Sequence, residues 1–163
     1  MNLGDYAGAV EAFNACEEKG GAFSGLYYNR GICRLMSEDW ANGAEDFTKS
    51  IETEPYAEDA RYNLGICKMQ MEDYEAAVAA FDELVAGVEG QEDVTLNDAV
   101  YYFRALCNAA LGKLEEAVKD LTTCIDHGYE LAQTYYQRAQ VYAAMGDTEK
   151  QTSDLENSLK YTK

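Results

Sequence analysis

The sequence predicts an all-α fold built from antiparallel helix pairs, and three observations carry that expectation. A segment opening at Tyr27 (YYNRGICRLMSEDW) returns 34 residues later at Arg61 (RYNLGICKMQMEDY), with Gly-Ile-Cys at 31–33 and again at 65–67. A fixed period of this kind marks a repeat array. Further copies open at Tyr101 and Tyr135, again 34 apart, while 40 residues separate the second copy from the third. One Pro and 13 Gly in 163 residues disfavour turn-rich β architecture. Finally, a small residue recurs four before Phe or Leu, as Ala9/Phe13, Gly43/Phe47, Ala77/Phe81 and Ala117/Leu121. That spacing places both on one helical face, where a neighbouring helix can approach closely.

In chain order, residues 1–163 read as a single domain. Residues 4–19 match only the second half of a repeat and predict one leading helix. Full copies follow at 24–57, 58–91, 98–131 and 132–163. Each predicts two helices that break near Glu38-Asp39, Glu72-Asp73, Gly112 or Gly146-Asp147. Pro55 closes the first full copy, because proline cannot continue a helix. The six extra residues before the third copy fall in 87–97 and read as a longer loop. The last copy ends in a polar cap, with Gln151, Thr152, Ser153, Asn157 and Ser158 replacing small or apolar residues.

Composition excludes several function classes. Lys and Arg number 13 against 30 Asp and Glu, a formal charge of −17. So acidic a chain repels phosphate backbones and anionic lipid, so no nucleic-acid partner is expected. No apolar run approaches the roughly 20 residues of a membrane span, so no direct membrane insertion is expected. The segment Met1 to Asp5 carries no export signal, and a leader or anchor upstream of Met1 stays open. The five cysteines at 16, 33, 67, 107 and 124 form no C-x-x-C, which suggests neither disulfides nor a metal site. Reduced thiols favour a cytoplasmic setting. Cys33, Cys67 and Cys107 share one repeat position, and Cys16 and Cys124 another; both read as small apolar contacts between helices. His127, in Asp126-His127-Gly128, reads as a helix C-terminal cation or a loop residue. The acids of 89–93 lack the spacing of a calcium loop. Without a nucleophile–base pair, metal set or phosphate loop, neither catalysis nor a cofactor is expected.

The repeated residues resemble the tetratricopeptide repeat family. A large residue, Leu-Gly, Tyr, Ala-x3-Phe and Pro at this period are matched best by Arg61–Phe81 and Tyr27–Pro55, and the resemblance covers nearly the whole chain. Departures are Arg for Leu at 30, 104 and 138, and Gln151 for Ala. The resemblance implies a right-handed superhelical solenoid, a concave groove lined by the first helix of each pair, and a protein or peptide partner.

The copies also align with one another when numbered from Ser24, Glu58, Asp98 and Ala132. Position 7 reads Arg30, Leu64, Arg104, Arg138, and position 23 reads Asp46, Ala80, Asp120, Asp154. Arg occurs only with Asp, and Leu with Ala. This predicts three structural ion pairs between the two helices, Arg30–Asp46, Arg104–Asp120 and Arg138–Asp154, in mostly buried seams.

Positions 5, 9 and 12 share a face at 100° per residue. Position 5 is Tyr28, Tyr62, Tyr102 and Tyr136; position 9 is Ile32, Ile66, Leu106 and Gln140; position 12 includes Leu35 and Met69, flanked by Met36. In the family this face lines the groove, so the resemblance implies a tyrosine ladder there. The alternative is that the tyrosines fill a tightly wound superhelix. Asn29 and Asn63, one position on, could hydrogen-bond a peptide backbone. Tyr stands where carboxylate-clamping members carry Lys, which disfavours a terminal carboxylate as ligand. The predicted function is a non-catalytic interaction scaffold that binds a peptide or helix in an apolar, Tyr-lined groove. Two alternatives stand beside it. One is an assembly subunit that forms a homodimer through Val10 and Phe13 of its uncapped leading helix. The other is a carrier of a small apolar ligand.

Overall fold

The computed structural model describes residues 5–21, 25–53, 58–88 and 97–162. Among them are nine helices and no strand: α1 (Tyr6–Glu18), α2 (Leu26–Met36), α3 (Trp40–Thr53), α4 (Glu58–Gln70), α5 (Tyr74–Val88), α6 (Asp98–Ala110), α7 (Leu114–Asp126), α8 (Leu131–Met145) and α9 (Thr148–Lys160). Met1 to Gly4, Pro55, the acids of 89–93 and the copy ends at 24, 57, 91 and 163 lie outside the described residues.

The turn inside each copy has one geometry. The residue at position 15 takes a positive φ in all four: Glu38 (60°), Glu72 (61°), Gly112 (74°) and Gly146 (78°). The next N–H then bonds a carbonyl five residues back: Asp39 to Arg34 (2.9 Å), Asp73 to Lys68 (2.9 Å), Lys113 to Asn108 (2.8 Å) and Asp147 to Tyr142 (2.9 Å). This closure satisfies last-turn carbonyls and turns the chain into the second helix. Side-chain caps start four helices: Asp5 on Gly8 N (2.9 Å), Asp73 on Ala76 N (3.4 Å), Asn97 on Ala99 N (3.0 Å) and Asp147 on Lys150 N (3.1 Å).

The chain divides into two compact units, Met1–Ala80 and Phe81–Lys163, the division falling within α5. The core of the first is Ala44, Phe47, Ala60 and Cys67, with Tyr28, Ile32, Leu35, Trp40, Ile51 and Leu64 packed against it. Gly31 lets α2 approach α3, since a Cβ there would lie 2.9 Å from the Phe47 ring. The core of the second is Tyr102, Ala105, Ala117, Leu121, Cys124 and Val141. Ala105 and Leu121 occupy the repeat positions of Gly31 and Phe47, so a larger residue on one helix meets a smaller one on the other.

In α1, Val10 and Phe13 are half-buried, where α1 packs on α2, whose Tyr27 and Arg30 both reach Glu17. The last helix combines a polar contact with exposed apolar surface. Ser158 donates to the Ala132 carbonyl at 2.7 Å, yet Leu159 is 72% exposed.

No described helix is long and apolar enough to cross a membrane. No group of three or more His, Cys, Asp and Glu among the described residues could hold a metal ion.

Candidate functional site

Three arginines each join three helices. Nε and Nη2 donate to both carboxylate oxygens of position 23: Arg30 to Asp46 (2.9 and 2.7 Å), Arg104 to Asp120 (2.8 and 2.7 Å), Arg138 to Asp154 (2.7 and 2.9 Å). The third nitrogen, Nη1, reaches position 25 of the preceding copy: Asn14 (2.9 Å), Asp82 (2.7 Å) and Thr122 (2.9 Å). Each guanidinium also lies over the tyrosine at position 4, 5.6 Å from Tyr27, 5.8 Å from Tyr101 and 5.6 Å from Tyr135. The copy with Leu64 and Ala80 carries Arg61 at position 4, so the whole set changes together. The Asp46 hydrogen bonds raise the pKa of Arg30, and those of Asp154 raise that of Arg138. These donors are engaged within the fold, so the arginines hold helices together rather than clamp a ligand.

The tyrosines at position 5 do not form one open ladder. Tyr28 is half-buried and meets Phe47 edge-on at 6.0 Å. Tyr102, expected on an open face, is only 9% exposed. Phe103 and Tyr129 cover its ring at 5.5 and 5.9 Å, and burial raises the pKa of its hydroxyl. Tyr62 is half-buried. Tyr136 is 45% exposed, since α8 is the last first helix among the described residues.

The two asparagines also differ from expectation. Asn29 donates to the Gly25 carbonyl (2.7 Å) and Asn63 to the Asp59 carbonyl (2.8 Å), so each amide supports the first turn of its own helix. Ile32, Leu35, Ile66, Met69 and Leu106 are half-buried, while Met36 and Gln140 are exposed.

One concavity lies wholly in the second unit. α6, α7 and α8 enclose about 220 Å³ between Leu106 and Ala109, Leu114 and Leu121, and Val141 and Ala144, with Gln137 and Gln140 as its polar groups. Of the expected groove residues, Leu106 and Gln140 line it. The α7 wall was missed, because the periodicity of first helices contains no second-helix residue.

The remaining reactive groups are occupied or inert. Burial pushes the thiols of Cys67 and Cys107 up to about 11 and that of Cys124 up to about 12. Burial also raises Cys33. Half-buried Cys16 donates to the Gly21 carbonyl at 2.8 Å. His127 caps the end of α7 and sits 2.5 Å from Asp98.

An array of helix pairs clamped by repeated arginines, with an apolar recess between two first helices, is the build of a helical-repeat scaffold. The chain belongs to the tetratricopeptide repeat family, whose patterns match residues 28–92, 62–122 and 132–163. A comparison with curated protein sequences finds no match. Among solved structures the chain is similar to a crystal structure of MamA (16% identity, TM-score 0.83, covering 98% of this chain and 94% of that one). A second MamA crystal structure matches with 17% identity and TM-score 0.84, covering 96% and 82%. YrrB, described as a TPR protein with an unusual peptide-binding site, matches with 19% identity and TM-score 0.82, covering 98% and 79%. At these identities the likeness shows the fold.

Proposed function

We propose that the protein is a non-catalytic interaction scaffold that takes a peptide or helix on its first-helix face. The observation that carries this reading is the apolar recess between α6 and α8. On α8 itself, Tyr136 and Met145 are 45% and 41% exposed, and exposed aromatic and Met side chains are enriched at interfaces. The peptide-binding site ascribed to the similarly folded YrrB supports the same ligand class. A net charge of −17 favours a basic partner. Selection from a displayed peptide library on the immobilised chain, followed by titration of the selected peptides, tests this. Tyr136→Ala should weaken binding by about 1–2 kcal/mol, and Glu115→Ala should leave it unchanged. Failure to select any peptide would contradict the reading.

A second reading, self-association through α1, has one observation in its favour: that helix contains no fully buried residue. It requires the chain to be a dimer in solution and Phe13→Asp to halve its mass. A monomeric wild-type chain excludes it.

A further inference from the structure

We infer that the recess between α6, α7 and α8 takes one aromatic side chain from a basic peptide. The inference rests on the scaffold reading above and specifies its ligand.

The internal repeat supplies the argument. Three walls of the recess, Ala109, Leu114 and Leu121, stand at the repeat positions of Leu35, Trp40 and Phe47. In the first unit those larger residues belong to the packed core, and Phe47 is fully buried. In the second unit all three are cut back, and a hollow of about 220 Å³ stands in their place. The recess opens to solvent at Gln140 and Ala144, so its apolar walls meet water until an apolar group covers them. Ala105 in place of Gly31 offsets part of the change from Phe47 to Leu121, so the main aromatic volume that the second unit lacks is the indole of Trp40. An incoming ring would supply in trans what the first unit carries in cis.

Size and polarity narrow the occupant. Pockets for drug-sized ligands run from roughly 300 to 1,000 Å³, so about 220 Å³ suits one large side chain better than a whole small molecule. No charged residue lines the walls, which excludes a charged side chain. The exposed residues Gln140 and Ala144 form the mouth. Gln140 replaces Ile66 of the earlier copy, placing an amide where a peptide backbone would pass. The net charge of −17 favours cationic residues on either side of the ring.

The test uses the full chain, isotopically labelled, titrated with acetyl-Lys-Lys-Trp-Lys-Lys-amide and its Ala counterpart. The Trp peptide should bind about tenfold tighter and shift the amides of Ala109, Leu114 and Ala144. Leu114→Trp and, separately, Ala109→Leu restore first-unit residues and should each abolish the preference; their melting temperatures check the fold. Equal binding of the two peptides overturns the inference, as does free indole that binds as tightly as the Trp peptide. Binding that maps to α2 or α4 instead would also overturn it, while leaving the scaffold reading intact. The library selection that selects no peptide, by contrast, strikes at the scaffold reading itself.

Discussion

Arg104 holds Asp120, sixteen residues along the chain, through two hydrogen bonds of 2.8 and 2.7 Å, while its remaining terminal nitrogen reaches Asp82 at 2.7 Å. One side chain thus binds its own second helix and the second helix before it. Removing Asp120 leaves two donors of a largely buried guanidinium without acceptors, and only the exposed Asp82 still faces its charge. Asp120→Ala should therefore cost about 3–5 kcal/mol in denaturant unfolding. The double variant Arg104→Leu with Asp120→Ala, the combination found at 64 and 80, should cost clearly less than Asp120→Ala alone. Equal losses would show that the pair is not the unit of stability.

Gly31 and Phe47 provide a steric counterpart. A Cβ on Gly31 would sit 2.9 Å from the ring, so Gly31→Ala should destabilise by about 1–3 kcal/mol. Combined with Phe47→Leu, it reproduces the Ala105/Leu121 arrangement of the second unit. The double variant should be more stable than the sum of the single losses predicts; strict additivity in a double-mutant cycle would contradict the size-exchange account.

Glu38 and Glu72 make with a side chain the turn that Gly112 and Gly146 make without one. The left-handed backbone is costly for any residue bearing a Cβ. Glu38→Gly and Glu72→Gly should each raise stability by about 0.5–1 kcal/mol, read as a higher denaturation midpoint at unchanged slope.

The thiols set a pH dependence whose sign follows from burial. Desolvation favours the neutral form of Cys124 and pushes it up to about 12, against about 8.5 in an unfolded chain. Its contribution is complete below the unfolded value and is lost as pH rises through the folded one. Cys124→Ala should therefore flatten part of the loss of stability above about pH 9. At neutral pH, iodoacetamide should label Cys67, Cys107 and Cys124 only after denaturation.

Much of this was legible in the sequence because the copies serve as one another's controls. Arg30 differs from Leu64 as Asp46 differs from Ala80, so the charge and its counter-charge could be matched without coordinates. The helix breaks at Glu38, Glu72, Gly112 and Gly146 stood out for the same reason. The fate of Tyr102 did not. Its burial depends on Tyr129, which lies in the turn between α7 and α8, outside any helical period. The recess was hidden for a related reason. A helical face reports which residues point together, whereas a cavity reports the volume missing between three helices.

If a peptide binds on the first-helix face of the second unit, amide hydrogen exchange of the full chain will locate it, measured with and without a library-selected peptide at saturation. Added protection is expected in α6 and α8 around Leu106 and Gln140, with α1 and α9 unchanged. Protection confined to α1 or α9, with α6 and α8 exchanging as in the free chain, would contradict this placement.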